Sequence, residues 1–147
     1  MNPSIIGLAS DHAGYPLKEF IKTLLDRDGK SYTDFGTCST AACNYAEYGH
    51  LLADAVTKGR VSLGIAVCGT GNGINMTVNK HAGIRSALCW NKEIARLARA
   101  HNDANLLALP GRFLSLLETE QIVEVFLTTP FEGGRHLARI GLIENIE

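Results

Sequence analysis

Short apolar runs alternate with amphipathic stretches along the whole chain. Residues 4–9 (S-I-I-G-L-A), 31–35, 63–67 (L-G-I-A-V), 83–89 and 105–109 read as strands, the second weakly. The run at 63–67 contains β-branched residues, is bounded by polar and Gly-rich segments, and suits a strand buried on both faces. Between the first two strands, Leu17, Phe20, Ile21, Leu24 and Leu25 repeat at helical spacing, and Gly29 closes the helix. Lys18, Glu19, Lys22 and Asp26 fall off that face. Residues 36–44 form a polar loop. Further helices are predicted over 45–58, 74–79, 92–101, 114–127 and 131–146, the last begun at Glu132-Gly133-Gly134.

Strands alternating with helices predict an α/β fold. The expected architecture is a three-layer α/β/α, Rossmann-like domain over residues 1–147, with a five-stranded parallel sheet and right-handed crossovers. Ligands in such sheets bind beyond the carboxyl ends of the strands. Asp11 and His12 follow the first strand, and Cys68 follows the third, so both sets reach one rim.

Cys68 runs into Gly69-Thr70-Gly71-Asn72-Gly73 and then a helix. Three glycines in five positions let the backbone turn sharply and bring several N–H groups toward one ligand. A helix N-terminus beside them favours an anion, including a thiolate over a thiol of ordinary pKa about 8.5. The same stretch also fits a plain strand-to-helix turn with an inert, buried cysteine. Gly73-Ile74-Asn75 lacks the lysine of a P-loop, and G-x-G-x-G is not the dinucleotide pattern G-x-G-x-x-G. A cysteine phosphatase would place an arginine where Ile74 stands. Proton abstraction or nucleophilic attack beside a stabilised oxyanion survives these tests.

Net charge narrows the partners. At −1 over 147 residues, with no basic stripe, nothing suggests nucleic acid. No apolar run approaches the roughly 18 residues of a membrane span. Cys38, Cys43, Cys68 and Cys89 include no C-x-x-C pair and no secretory segment precedes them, which predicts reduced thiols and a cytoplasmic setting. Cys38 and Cys43 form one loose pair with no histidine in their stretch, so zinc is not expected.

His101 and Asn102 lie between a helix and the fifth strand, toward the amino ends of the strands. Either they cap structure or a second subunit receives them. Arg135 and Arg139 stand four apart on the last predicted helix and so share a face, and Arg112 follows the fifth strand. Three guanidiniums of this kind suit either solvent or a phosphate dianion gripped through bidentate bonds. His136 reads as structural.

With these residues assembled, the sequence resembles the ribose-5-phosphate isomerase B and galactose-6-phosphate isomerase family. The matching stretches are Ser10-Asp11-His12-Ala13-Gly14, Cys68-Gly69-Thr70-Gly71-Asn72-Gly73, Asn79-Lys80, Gly83-Ile84-Arg85, His101-Asn102-Asp103-Ala104-Asn105 and Phe131-Glu132-Gly133-Gly134-Arg135-His136, in order over nearly the whole chain. The resemblance implies an aldose–ketose isomerase that needs no metal or organic cofactor. It implies Cys68 as the base moving a proton between C1 and C2 through an enediolate, with the N–H groups of Gly69, Gly71, Asn72 and Gly73 around the oxyanion. By the same analogy His101 assists ring opening from a partner subunit, with Asp11 and Thr70 near the ring oxygen and hydroxyls. His12, Arg112, Arg135 and Arg139 would hold the phosphate, Asn102 a substrate oxygen, and Tyr45 the sugar. The family is built of dimers with shared sites, and pairing of dimers into tetramers stays open.

Some members carry a glutamate base just after the glycine loop, where this chain has Ile74. Asn44-Tyr45-Ala46 stands where the family commonly has Asp-Tyr-Pro, and Pro110 where it often has a small residue. Ribose 5-phosphate is the expected substrate. A hexose phosphate is the alternative within the family, and a sugar-phosphate-binding module without turnover is the alternative outside enzymes.

Overall fold

The structure, a computed structural model, describes residues 4–145. Its elements run β1 (Ile5–Ser10), α1 (Tyr15–Arg27), β2 (Ser31–Asp34), α2 (Tyr45–Thr57), β3 (Leu63–Cys68) and α3 (Asn72–Val78). Then come β4 (Ser86–Leu88), α4 (Lys92–Asn102), β5 (Leu106–Pro110), α5 (Leu116–Thr128) and α6 (His136–Ile143). The five strands are all parallel, in the order β2-β1-β3-β5-β4, with helices on both faces. The expected architecture is therefore the observed one.

Period-2 alternation divides the sheet into unlike faces. Ile6, Leu8, Ile65, Val67, Leu107 and Leu109 face α1, α4 and α5, where Leu17, Ile21, Leu25, Ile122 and Phe126 complete a core of large side chains. Each such buried side chain contributes about 1.5–3 kcal/mol relative to exposure. The other face carries smaller groups, Ala9, Ala66 and Ala108, under α2 and α3. Glycines let α2 come close: a Cβ on Gly7 would run into Leu52, and one on Gly64 would meet Leu52 at 3.2 Å.

Three expectations change. The fourth strand is three residues rather than 83–89, because side chains take its first amides. Arg85 N–H donates to Asn105 Oδ1 at 2.8 Å, and Ser86 N–H to Asn79 Oδ1 at 2.9 Å. The last helix starts at His136 rather than at residue 131, because Gly133 (φ +69°) and Gly134 (φ +56°) adopt left-handed backbone. Arg135 thus sits at the N-cap and not within the helix, and Ile146 lies outside the described residues. Lys18, placed by spacing off the apolar face of α1, is wholly buried. Its ammonium finds Asp34, at the end of β2, and the Thr37 carbonyl at 2.6 Å.

Candidate active site

Strand β3 lies in the middle of the sheet and delivers Cys68 to its carboxyl rim. The turn after it is laced to the turn after β5: Gly111 N–H donates to Cys68 O at 2.8 Å, and Arg112 N–H to Gly69 O at 3.0 Å. The carbonyls are used, and the amides are left over. Among the described residues, the N–H groups of Gly69, Thr70, Gly71 and Gly73 find no acceptor. Gly71 holds φ +77° at the N-cap of α3, with Leu109 backbone 3.0 Å from where a Cβ would be. An L side chain there would be strained twice over. Orphan amides in a cluster of this kind favour negative charge.

The turn after β1 meets the same rim. A Cβ on Gly14 would strike the Val67 backbone, so α1 can start directly against β3. Asp11 is buried and accepts the Gly14 N–H on Oδ1 at 2.9 Å. His12 accepts the Cys43 N–H on Nδ1 at 3.2 Å, which makes Nε2 its donor nitrogen. A cavity of about 500 Å³ is lined by Asp11, His12, Tyr45, Cys68, Gly69, Thr70, Gly73 and Arg112, together with Ala13, Cys43 and Asn44. Cys68 is only 3% exposed and packs among Ala9, Ala66, Ile74 and Ala108, so it lies at the floor of this cavity rather than its mouth. Tyr45 lies over Gly73, where a Cβ would enter its ring.

Eight of the sequence-derived candidates thus converge. Gly71 and Asn72 shape the loop without lining the cavity, and the Asn72 N–H, expected at the oxyanion, instead donates to Thr70 Oγ1 at 3.2 Å. Cys43 and Asn44 also line it though neither is a sequence-derived candidate; the polar loop carries no periodicity that would aim them, and the signals in the sequence are their proximity to Tyr45 and the departure of Asn44 from the family's usual Asp. Cys89 is different in kind: burial pushes its thiol up to about 12, which leaves it an inert core group.

The remaining candidates gather elsewhere. His101, in the last turn of α4, stacks on His136 with ring centroids 4.3 Å apart and planes 15° apart. Glu132 N–H donates to Ala100 O at 2.9 Å, and its carboxylate lies 3.6 Å from His101 Nε2. Burial, then the neighbouring His101, Arg135 and Arg139, hold the His136 imidazole below its ordinary 6.5, against the pull of Glu132. Asn102 and Arg139 line a second cavity of about 340 Å³ with these two histidines. It shares no residue with the first. Arg112, Arg135 and Arg139 have no carboxylate within ion-pair distance among the described residues, so all three are free to meet an anion.

His101, Glu132 and His136 are the one group among the described residues whose ligand atoms all lie within 4.8 Å of one another. A metal fits them poorly. Stacked rings direct their in-plane lone pairs side by side instead of toward a common point, and Arg135 and Arg139 repel a cation. No helix of the described residues is long and apolar enough to cross a membrane.

The family described as Ribose/Galactose Isomerase matches residues 6–143. Ribose-5-phosphate isomerase B of Escherichia coli is 41% identical over 142 residues, covering 97% of this chain and 95% of that one. A ribose 5-phosphate isomerase from Thermotoga maritima has the same fold with a TM-score of 0.95 at 42% identity, over 97% of this chain and 99% of that one. Ribose-5-phosphate isomerase B from Mycoplasma genitalium, solved with bound ribulose-5-phosphate, gives 0.91 at 41% identity over 95% and 93%. The cavity at the carboxyl rim therefore belongs to an isomerase, and the chain is a member of the ribose/galactose isomerase family.

Proposed function

We propose that this chain interconverts ribose 5-phosphate and ribulose 5-phosphate through an enediolate, with Cys68 as the base. The observation that carries the reading is a cysteine on the floor of a cavity whose rim supplies unpaired backbone amides and an unpaired arginine. As a thiolate, Cys68 takes the proton from C2 of the open-chain aldose and returns it to C1. Meanwhile O1 gains a proton and O2 gives one up. Negative charge appears on the sugar oxygens only as the C2 proton leaves. The unpaired amides of Gly69, Thr70 and Gly73 meet it there, and donors so placed typically contribute 10²–10³ in rate each. General base catalysis of this type contributes about 10²–10⁴.

Asp11 and Thr70 stand at the sugar hydroxyls and ring oxygen. His12 and Arg112, on the outer wall, take the phosphate with Arg135 and Arg139. Arg139 lies with His101 and Asn102 in a cavity that shares nothing with Cys68, and Arg135 caps the helix beside it, so the reading includes a second copy of the chain that brings them to the first cavity. In that dimer His101 assists ring opening and Asn102 holds a substrate oxygen. The chemistry needs no cofactor, and the free thiols suit a cytoplasmic setting.

A panel of five- and six-carbon sugar phosphates tests the substrate. The expected result is a kcat/KM for ribose 5-phosphate at least about tenfold above those for allose 6-phosphate and galactose 6-phosphate. A hexose phosphate turned over faster would move the assignment within the family, and Asn44 and Ala46, in place of the usual Asp and Pro, are where the cause would lie. Binding without exchange of the C2 proton into solvent would make the chain a binding module.

A further inference from the structure

Lys18 is among the largest side chains with no exposure at all, and the proposed chemistry does not use it. Its ammonium has three donors, and all are engaged. Two go to the carboxylate of Asp34, with Oδ2 at 2.7 Å, and the third to Thr37 O at 2.6 Å. Asp34 also accepts the Gly36 N–H at 2.9 Å and Lys22 at 3.2 Å. Burial works against its charge, but Lys18, the Gly36 amide and Lys22 outweigh it, and its pKa lies below the ordinary 3.8.

Thr37 is where the polar loop leaves the sheet. Past the end of β2 the ladder with β1 continues for three more bonds: Phe35 N–H to Leu8 O at 2.9 Å, then Ser10 N–H to Gly36 O and Thr37 N–H to Ser10 O, both 2.8 Å. Asp11 is the next residue after Ser10. From Thr37 the chain arches over and returns at Cys43, whose N–H reaches His12; Asn44 and Tyr45 then line the cavity. The arch is therefore fastened at its root by Lys18 and at its far end by His12.

Stability is a weak reason for such an arrangement. Replacing a buried ion pair by apolar groups of similar volume is often neutral or stabilising. A methionine would fill the same space, but it has no donor to aim at the Thr37 carbonyl. An ammonium in this place supplies direction.

We infer that Lys18 is a positioning residue for the sugar end of the cavity, holding Thr37 and Asp34 so that the arch sets Asn44 and Tyr45 over Cys68. Its consequence for turnover rests on the isomerase reading; its consequence for the arch does not.

The experiment pairs Lys18→Met with Ile122→Val, a buried core change in α5, a helix that lends no residue to the cavity. Amide exchange at Gly36, Thr37 and Cys43 is read by NMR, and steady-state kinetics with ribose 5-phosphate alongside. In Lys18→Met, exchange at these three amides rises about tenfold while β3 and β5 keep their protection. KM rises about tenfold with kcat within about threefold, the signature of binding lost equally from ground and transition states. Ile122→Val leaves both readouts unmoved. A folded Lys18→Met with unchanged exchange, with unchanged KM, or with only kcat reduced overturns the inference. Should Lys18→Met not fold, Asp34→Asn decides: exchange at Gly36 and KM each rise about threefold, and unchanged values overturn it. If the wild-type chain isomerises no sugar phosphate, the functional reading falls and the exchange arm alone decides the role of Lys18.

Discussion

The two cavities that hold the candidate residues are built by opposite means. At the carboxyl rim, backbone does the work: the ends of β3 and β5 are bonded to one another through Gly111 and Arg112, and a left-handed Gly71 turns the chain into α3 with a run of amides left unpaired. At the far end of α4, side chains do it: His101 and His136 stack, Glu132 stands 3.6 Å off, and Arg135 and Arg139 reach out unpaired. The first arrangement is rigid and complete as a cradle for charge. The second is a set of long groups on helix ends, whose geometry the proposed partner subunit would finish. A proton-transfer site needs the first kind of precision, whereas gripping a phosphate and nudging a sugar ring tolerate the second.

The sharpest way to break this contrast is at the rigid end. Cys68→Ala is expected to lower kcat for ribose 5-phosphate by about 10²–10⁴-fold, with circular dichroism and oligomeric state unchanged. Near-normal turnover would remove Cys68 as the base and leave the amides as a cradle without one.

The division between subunits comes next. His101→Ala and Cys68→Ala chains, each nearly inactive alone, are mixed under conditions that exchange subunits. If one site draws on two chains, half of the dimers are hybrid and each hybrid regains one of two sites, so about one quarter of the wild-type activity returns. No recovery, with hybrids verified by mass, would return His101 to its own chain.

The smallest effect is electrostatic and belongs to the second region. His136 folds with its pKa held below 6.5, so the unfolded chain takes up its proton first as pH falls. The His136 contribution to stability is therefore full above pH 6.5 and is lost as pH drops from there through the lower folded value. A thermal midpoint followed from pH 7.5 to 5 should fall in the wild type and fall less steeply in His136→Asn. Equal slopes would show that the stacked pair carries no such linkage.

Much of this was legible in the chain itself. Apolar runs and helical spacing gave five strands and their alternation with helices, and strand ends in an α/β sheet give the rim on which Asp11 and Cys68 meet. The spacing of glycines at 69, 71 and 73 by itself excludes the nucleotide loops. Lys18 shows the limit. Helical periodicity assigned it to the polar face, and only the approach of β2 and the Thr37 carbonyl surrounded it with partners that make burial tolerable. Gly133 and Gly134 show another: a glycine pair can open a helix or delay one, and their left-handed backbone delayed α6 and shifted Arg135 to its cap.

What the sequence determined alone was everything set by local period and residue type: the alternation of elements, the parallel sheet, and the thiol placed just ahead of a glycine-rich turn. What only the tertiary structure decided was which residues from distant turns share a cavity, that Cys68 forms its floor, and that His101 lies in another one. The physical reason is range. Periodicity and turn chemistry act over a few residues, while a cavity is formed by chain segments whose separation in sequence says nothing about their separation in space.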